Sequence, residues 1–366
     1  MACDGVGPSY TCMRLLQGMA AANLQGPFFV NRLRVRPPAG LDLRPAVPRA
    51  VAALPYRLYA GRSSARAARL FLDDLGPDDI AYLWPSVPLS VYRAVQARGV
   101  PIVGEGINTR MAHARALLDA LYAAEGLPPG HGITDARIRE EEEKLALTSA
   151  LFAPSPGVQA ALAGAPIAPD RILPTSYGTD IPPATPKPEP GRPLTVLFVG
   201  YGCIRKGLHQ LLRAWARAGI DGRLLLAGRI EPAVARLCRA ELDRADVETV
   251  GFVRDVSALY AQADIFVLPS FEEGDPLVTY EAAARGLPII ASPAGGGRLA
   301  ARTDCTVRID PHAPDSIAAA LQRLAADPDA RRARGQASRA AVAAFDWATV
   351  GRARAAQLRA CLPAAG

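Results

Sequence analysis

Two carboxylates placed eight positions apart around a helix start, Glu273 and Glu281, constrain this chain more than any other feature. They lie in residues 271–292, FEEGDPLVTYEAAARGLPIIAS, after an apolar run at residues 265–269 that is short enough to be a buried strand. Pro276 suits the first helical position, and a glycine followed by a proline ends the helix before a second extended run. The segment therefore predicts a strand, an acidic loop, a helix and another strand.

A helix that starts at a strand end offers a place for an anionic ligand. Its first backbone amides would face outward and attract phosphate, because the helix dipole adds partial positive charge there. Glu281 lies about 7 Å further along the helix axis, where a carboxylate can accept hydrogen bonds from the vicinal hydroxyls of a ribose. Glu273, in the loop, can reach whatever is attached beyond the phosphates. The pattern indicates a nucleotide-sugar site whose donor-binding candidates at the helix start are Gly274, Asp275, Pro276, Leu277 and Val278.

The same residues also allow an ordinary structural interpretation. Asp275 followed by Pro276 is a common N-cap pair, and Glu272 with Glu273 could be first-turn acids that complement the helix dipole. Glu281 could be a solvated helix position. A second segment favours the ligand-binding interpretation.

That second segment is residues 194–219, LTVLFVGYGCIRKGLHQLLRAWARAG, which predicts a strand, a glycine-containing turn and an amphipathic helix. Ligands bind at the carboxyl ends of strands in α/β sheets, so this turn would lie at the same crevice edge as Glu273. The residues of this turn that could bind the ligand are Gly200, Gly202, Arg205 and Lys206. The chain has 39 arginines and three lysines, so a lysine kept beside a glycine turn favours a compact charge directed at phosphate. A solvated helix start is the alternative for Lys206.

Together the two segments resemble the donor-binding half of the family 4 glycosyltransferases, enzymes of the GT-B fold. Glu273 and Glu281 match that family's E-x7-E pair, and residues 205–207, RKG, match its basic loop. The resemblance implies that Glu281 binds the ribose hydroxyls and that Glu273 lies against the donor sugar. It also implies that Arg205 and Lys206 steady the leaving diphosphate. Many family members carry an arginine where this chain has Tyr201, so Arg205 is expected to supply the cation that pairs with Lys206.

The predicted fold class is α/β of GT-B type, with two Rossmann-like, doubly wound parallel-sheet domains facing a central cleft. The 366 residues suffice for two domains, and residues 181–193, with six prolines, predict a linker. We assign residues 1–180 to an acceptor-side domain, 194–345 to a donor-binding domain, and 346–366 to a helix that crosses back, as in the family. The predicted strands are residues 80–84, 101–104, 150–154, 171–175, 194–200, 223–228, 248–253, 265–269, 288–292 and 306–309.

The amino terminus departs from the family pattern. Met1 is followed at once by ACDGVGPSYTCMRLLQGM, a glycine loop without the apolar strand that normally precedes it. Gly5 and Gly7 would let backbone approach the ligand, and residues 10–21 would form the next helix. The first strand is expected to be missing or shortened, because the true start lies upstream or because the sheet edge is reorganised. A truncated first strand would weaken folding of the acceptor domain.

Acceptor-side candidates follow the predicted strand at residues 101–104, where family members often place a histidine or an aspartate. They are Glu105, Asn108 and His113. A histidine on a helix is more often a surface or packing residue, so His113 receives no catalytic role.

Composition limits the possible partners. The formal charge of +7 favours polyanions, but arginine and alanine are abundant throughout, which indicates a biased genome more than a local basic patch. Aromatic residues are sparse, so no nucleic-acid partner is predicted. Six scattered cysteines and four dispersed histidines predict reduced thiols and no metal site, and no D-x-D motif is placed to hold a diphosphate through a divalent ion.

The sequence contains neither an apolar run long enough to span a bilayer nor a signal peptide. We expect a cytoplasmic protein, with peripheral association at the inner face of the membrane as a further option. The predicted activity is that of a retaining glycosyltransferase of the hexosyltransferase type, which moves a sugar from a nucleoside diphosphate sugar to a hydroxyl without a metal ion or cofactor. Its partners would be that donor and a carbohydrate, lipid or small-molecule acceptor. The alternatives are a non-catalytic nucleotide-sugar-binding protein and another GT-B enzyme, an epimerase or a phosphorylase.

Overall fold

The computed structural model describes residues 2–3, 7–36, 39–183 and 191–361. Strands and helices alternate within these ranges, and the strand pairs that they form are parallel. The strands are β1 Ala2–Cys3, β2 Phe28–Val30, β3 Arg32–Leu33, β4 Leu43–Pro45, β5 Ala81–Leu83, β6 Ile102–Glu105, β7 Ala150–Ala153, β8 Ile172–Pro174, β9 Leu194–Val199, β10 Gly222–Ala227, β11 Val247–Gly251, β12 Ile265–Leu268, β13 Ile289–Ala291 and β14 Thr306–Arg308.

The α-helices are α1 Pro8–Ala20, α2 Arg49–Ala52, α3 Ala60–Asp74, α4 Leu89–Gln96, α5 Met111–Ala124, α6 Asp135–Leu147, α7 Pro156–Ala161, α8 Leu208–Ala218, α9 Pro232–Leu237, α10 Arg239–Leu242, α11 Ser257–Gln262, α12 Leu277–Ala284, α13 Pro314–Ala326, α14 Pro328–Val342 and α15 Trp347–Cys361. Short 3-10 helices occupy Tyr56–Leu58, Pro169–Arg171, Gly297–Ala301 and Ala343–Phe345.

The carboxyl-terminal half contains one six-stranded sheet in the order β11-β10-β9-β12-β13-β14. Its central strands β9 and β12 are apolar runs, LTVLFV and IFVL, that are almost completely buried, as expected for a parallel sheet covered by helices on both faces. The two strands pair directly, with Ile265 opposite Val196. The loops that follow them therefore share one edge of the sheet.

The amino-terminal half divides its strands among three sheets. Strands β5, β6, β7 and β8 form one sheet in that order, whereas β1 pairs with β3 and β2 pairs with β4. The first strand is present but has only two residues, with Ala2 opposite Arg32 and Cys3 opposite Leu33.

A cavity of about 390 Å³, lined mostly by apolar side chains and partly open to solvent, lies in this amino-terminal half. Phe28 and Phe29 of β2 line part of it, and Tyr82 and Leu83 of β5 line another part. Within the described ranges β2 pairs with β4 alone and β5 with β6 alone, so each strand has one edge without a partner strand. This half therefore leaves apolar side chains uncovered at a gap between two of its sheets.

The last helix, α15, returns to the amino-terminal half and packs against α1. A Cβ added to Gly351 would lie 2.2 Å from the carbonyl carbon of Gly18, so the two backbones touch at these glycines. Arg354 of α15 is fully buried, and its guanidinium donates to both carboxylate oxygens of Glu105, at 2.8 and 3.1 Å. Leu358 joins the same core. The final helix therefore completes the core of the first half.

Candidate functional site

The basic turn between β9 and α8 lies against the end of β12 because its glycines permit close approach. Gly207 has a φ of 70°, and a Cβ there would lie 2.1 Å from the carbonyl oxygen of Pro269. Gly200 has a φ of 145°, and the Lys206 side chain passes over it, so that a Cβ on Gly200 would lie 3.2 Å from Lys206 Cδ. The glycines thus direct the lysine toward the loop that follows β12.

Two cations and two carboxylates meet at this edge of the sheet. Lys206 Nζ forms an ion pair with Glu273 Oε1. Arg205 Nη1 lies 3.4 Å from Glu273 Oε2 and 3.2 Å from Glu272 Oε2. The Ser270 hydroxyl donates to Glu273 Oε1 at 3.0 Å. The structure therefore brings together the three residues expected to act on the donor sugar and the leaving diphosphate: Arg205, Lys206 and Glu273.

The charges of this cluster stabilise one another. Burial alone would raise the pKa of Glu273, but the positive charges of Lys206 and Arg205 outweigh burial, and the net pKa is lowered. Burial would likewise lower the pKa of Arg205, but Glu273 and Glu272 raise it above its usual value. Glu273 and Arg205 are therefore ionised at neutral pH, and an anionic ligand would compete with Glu273 for the cations.

Glu281 lies on α12, the helix that follows this acidic loop. The Tyr260 hydroxyl donates to its Oε2 at 2.9 Å and lies 3.2 Å from the carbonyl oxygen of Val278. Burial raises the pKa of the Glu281 carboxyl. Within the described part of the chain its Oε1 accepts no hydrogen bond, so one carboxylate oxygen is held in place and the other is available. Nothing in the local sequence indicated Tyr260, which reaches Glu281 from α11.

The start of α12 differs from the prediction. Pro276 is the N-cap rather than the first helical residue, and it has no N–H to offer a phosphate. The carboxylate of Asp275 accepts hydrogen bonds from the Tyr177 amide and the Tyr280 hydroxyl, both at 2.7 Å. Burial raises the pKa of Asp275 to about 7. Asp275 and Pro276 therefore organise the helix start, and their direct binding of the donor stays a prediction.

A loop from the amino-terminal half packs onto the acidic loop. A Cβ on Gly274 would lie 1.9 Å from the carbonyl oxygen of Ile107, so only glycine fits there. Thr109 donates to Glu272 Oε1 from its amide at 3.0 Å and from its hydroxyl at 2.8 Å. The two halves of the molecule thus meet beside Glu273. No local pattern in the sequence indicated Thr109, whose partner lies 163 positions further along the chain.

The remaining predicted donor-binding residues are Gly202, Leu277, Val278 and Gly7. Gly202 is buried, and a Cβ there would lie 2.3 Å from Leu208 Cδ2, so it serves packing within the turn. Leu277 and Val278 are half-buried in the first turn of α12. Gly7 is exposed at the start of α1 with a φ of 55°, and Gly5 lies outside the described residues.

The acceptor-side prediction is only partly compatible with the structure. Asn108 and His113 are exposed, in the loop after β6 and on α5. Glu105 is buried and binds Arg354, and it also accepts a hydrogen bond from the Tyr82 hydroxyl. The prediction that Glu105 faces an acceptor is therefore wrong, because its carboxylate is committed to the core.

Other features of the described residues bear on the predicted chemistry. The five cysteines whose side chains are described are buried and free. No group of three or more His, Cys, Asp or Glu side chains in these ranges is placed to hold a metal ion. Among the described helices, none has both the length and the apolar character needed to cross a membrane.

The fold is that of the GT-B glycosyltransferases. Sucrose-phosphate synthase from Thermosynechococcus elongatus matches 99% of this chain and 94% of its own, with a TM-score of 0.75 at 21% identity. HepE from Anabaena was solved in complex with UDP and glucose. The match covers 98% of this chain and 98% of that chain, with a TM-score of 0.71 at 15% identity. Both likenesses are in fold.

Sequence relatives define the carboxyl-terminal domain more closely. Residues 193–327 match the family model of Glycosyl transferases group 1. D-inositol 3-phosphate glycosyltransferase from Thermobispora bispora is 29% identical over 276 residues, which are 68% of this chain and 62% of that protein. The chain spans less than two thirds of the length of the curated relatives that it matches. Residues 193–327 are therefore similar to the glycosyl transferases group 1 family, and the resemblance to GT-B glycosyltransferases is confirmed.

Proposed function

We propose that this protein is a retaining glycosyltransferase of family 4, which transfers a sugar from a nucleoside diphosphate sugar to a hydroxyl without a metal ion. The observation that carries the proposal is the meeting of Lys206, Arg205 and Glu273 at the carboxyl ends of β9 and β12. This is the position at which open α/β sheets bind nucleotides.

The diphosphate binds at the two cations. Lys206 and Arg205 are held in place by carboxylates before a ligand arrives, so they need little rearrangement to stabilise charge on the leaving group. The diphosphate displaces Glu273 from Lys206, which frees Glu273 to face the donor sugar. A divalent ion has no necessary part in this arrangement, because the two cations supply the positive charge.

The ribose binds at Glu281. Tyr260 fixes one carboxylate oxygen, and the other is available to accept hydrogen bonds from the two ribose hydroxyls. UDP is one candidate nucleotide, since the similar Anabaena protein was solved with UDP and glucose. GDP and ADP satisfy the same contacts, because these contacts do not touch the base.

The acceptor and the location are further parts of the proposal. The acceptor is a carbohydrate, a lipid or a small molecule that enters from the amino-terminal half, near the exposed Asn108 and His113. The protein acts in the cytoplasm. A non-catalytic nucleotide-sugar-binding protein, an epimerase and a phosphorylase use the same donor site, so they are alternative outcomes of the test.

The test measures nucleotide release from UDP-, GDP- and ADP-sugars with the purified chain. Slow hydrolysis of one donor supports a transferase, whereas binding without turnover supports a binding protein. Lys206→Ala should lower kcat/KM about 10²- to 10³-fold, the loss of roughly 3 to 4 kcal/mol typical of one preorganised donor. Arg217→Ala removes a cation from the exposed end of α8, and it should leave turnover unchanged.

A second variant tests whether the diphosphate displaces Glu273 from Lys206. Because Glu273 competes with the diphosphate, Glu273→Gln should bind the nucleoside diphosphate more tightly than the parent protein does, while turning over its sugar more slowly. Calorimetric titration measures the first effect and nucleotide release the second. Weaker binding by Glu273→Gln together with unchanged turnover by Lys206→Ala would refute the assignment.

A further inference from the structure

The positive charge of this protein is concentrated near its amino terminus. Residues 5–72 contain ten arginines and one acidic residue, Asp42, a net charge of +9, whereas the whole chain carries +7. The remaining residues are therefore slightly acidic as a group. This distribution corrects the expectation that the basic character is spread evenly along the chain.

Seven of these arginines are exposed, and within the described residues they form no salt bridge: Arg34, Arg36, Arg49, Arg57, Arg62, Arg66 and Arg69. Arg34, Arg36 and Arg49 line one surface groove beside Ala52 and Ala53. Arg62, Arg66 and Arg69 share one side of α3, because they are spaced by four and three residues. We call the exposed surface that carries these seven arginines the basic face. Like charges at such spacing repel one another, so the basic face is best stabilised by an anionic partner.

Two leucines protrude among these arginines. Leu54 is 51% exposed and Leu58 is 66% exposed, in the segment that joins α2 to α3. Large aliphatic side chains with arginines on either side suit the boundary between lipid headgroups and acyl chains. At that boundary the leucine side chains are removed from water while the arginine guanidinium groups contact the lipid phosphates.

The aromatic side chains of the segment argue against a nucleic acid. Tyr56 and Tyr59 pack against each other with their ring centroids 5.5 Å apart, and the Arg32 guanidinium lies over Tyr56. Both tyrosines are half-buried, so neither presents an open ring on which a base could stack. The exposed apolar groups are aliphatic, which favours a lipid surface.

We propose that the basic face docks on an anionic lipid bilayer, with Leu54 and Leu58 inserted between the headgroups. Attraction to an anionic leaflet corresponds to about a fivefold gain in partitioning per arginine near the surface. The arginines steer the protein to the membrane, and the two leucines retain it when salt screens the charges. This inference does not depend on the proposed activity, since binding is measured without substrate.

The test is co-sedimentation of the full chain with vesicles of phosphatidylcholine, with and without phosphatidylglycerol, at low and high salt. The expected result is binding only to vesicles that contain phosphatidylglycerol, weakened by salt. Arg57→Gln/Arg62→Gln/Arg66→Gln should lower partitioning about 100-fold, and the corresponding triple lysine variant should retain it. A matched control, Arg236→Gln/Arg239→Gln/Arg332→Gln, removes three exposed arginines from the other half and should bind as the parent does.

The leucines are tested separately. Leu54→Ser/Leu58→Ser should keep its binding at low salt and lose it at high salt, whereas Phe252→Ser, which changes an equally exposed apolar residue in the carboxyl-terminal half, should have no effect. Absence of binding to anionic vesicles, or equal losses in the two arginine triples, would overturn the proposal. The proposal would also be overturned, in favour of a nucleic acid, if the chain bound a single-stranded RNA more tightly than the anionic vesicles and if the leucine variant bound that RNA equally well.

Discussion

The two halves of this protein share a parallel α/β architecture but differ in how completely it is built. The carboxyl-terminal half has one continuous six-stranded sheet with a single large core, and it carries the predicted donor site. The amino-terminal half has three smaller sheets, several separate clusters of buried apolar residues, and the cavity between β2 and β5. The comparison indicates that the first half depends more on contacts made by the rest of the chain.

The largest expected effect comes from the helix that connects the halves. Arg354→Met leaves the Glu105 carboxylate buried without its partner, so we expect a loss of roughly 3 to 5 kcal/mol in the free energy of unfolding. Chemical denaturation monitored by circular dichroism measures it. Arg217→Met, which breaks an exposed ion pair with Asp315, should cost less than about 1 kcal/mol. Equal losses of stability in the two variants would show that Arg354 of α15 does not stabilise the first half.

The next effect concerns the contact between Asp275 and Tyr177, which joins the halves. Burial raises the pKa of Asp275 to about 7, above the value of about 4 for an aspartate in an unfolded chain. As pH falls from 7 toward 4, the folded state gains a proton that the unfolded state does not, so stability rises by up to about 1.4 kcal/mol per pH unit. This contribution is lost as pH rises through 7.

Urea denaturation at several pH values distinguishes this carboxyl from the others. Asp275→Asn should lack the rise in stability between pH 7 and pH 4 that the parent protein shows. The same slope in both proteins would mean that Asp275 does not titrate in this range.

A smaller effect compares the packing of the two halves directly. Ala67 lines the cavity, whereas Ala283 lies in the filled core of the carboxyl-terminal half. Ala67→Leu should raise the free energy of unfolding by about 1 kcal/mol, because the larger side chain covers apolar surface in the cavity. Ala283→Leu should lower it by about 1 to 3 kcal/mol, because the core has no room. Thermal unfolding compares them, and destabilisation by both would show that the cavity cannot be filled from α3.

The sequence predicted the parts of this structure that depend on local pattern. The positions of the main strands and the two loops that end β9 and β12 follow from apolar runs and glycines, which act over a few residues. Partners contributed by distant segments left no such pattern. Glu105 looked like an acceptor residue because Arg354 lies 249 positions away. Thr109 lies 163 positions from Glu272, and Tyr260 reaches Glu281 from a neighbouring helix, so neither was indicated by the local sequence.

The central claim is that Lys206, Arg205, Glu273 and Glu281 bind one nucleoside diphosphate sugar. A crystal structure of the protein soaked with the donor that it hydrolyses, or with the nucleoside diphosphate that it binds most tightly, tests this most directly. We expect the diphosphate at hydrogen-bonding distance from Lys206 Nζ and the ribose hydroxyls at Glu281, with Glu273 released from the lysine. A nucleotide bound elsewhere, with the pair of Lys206 and Glu273 intact, would contradict the account.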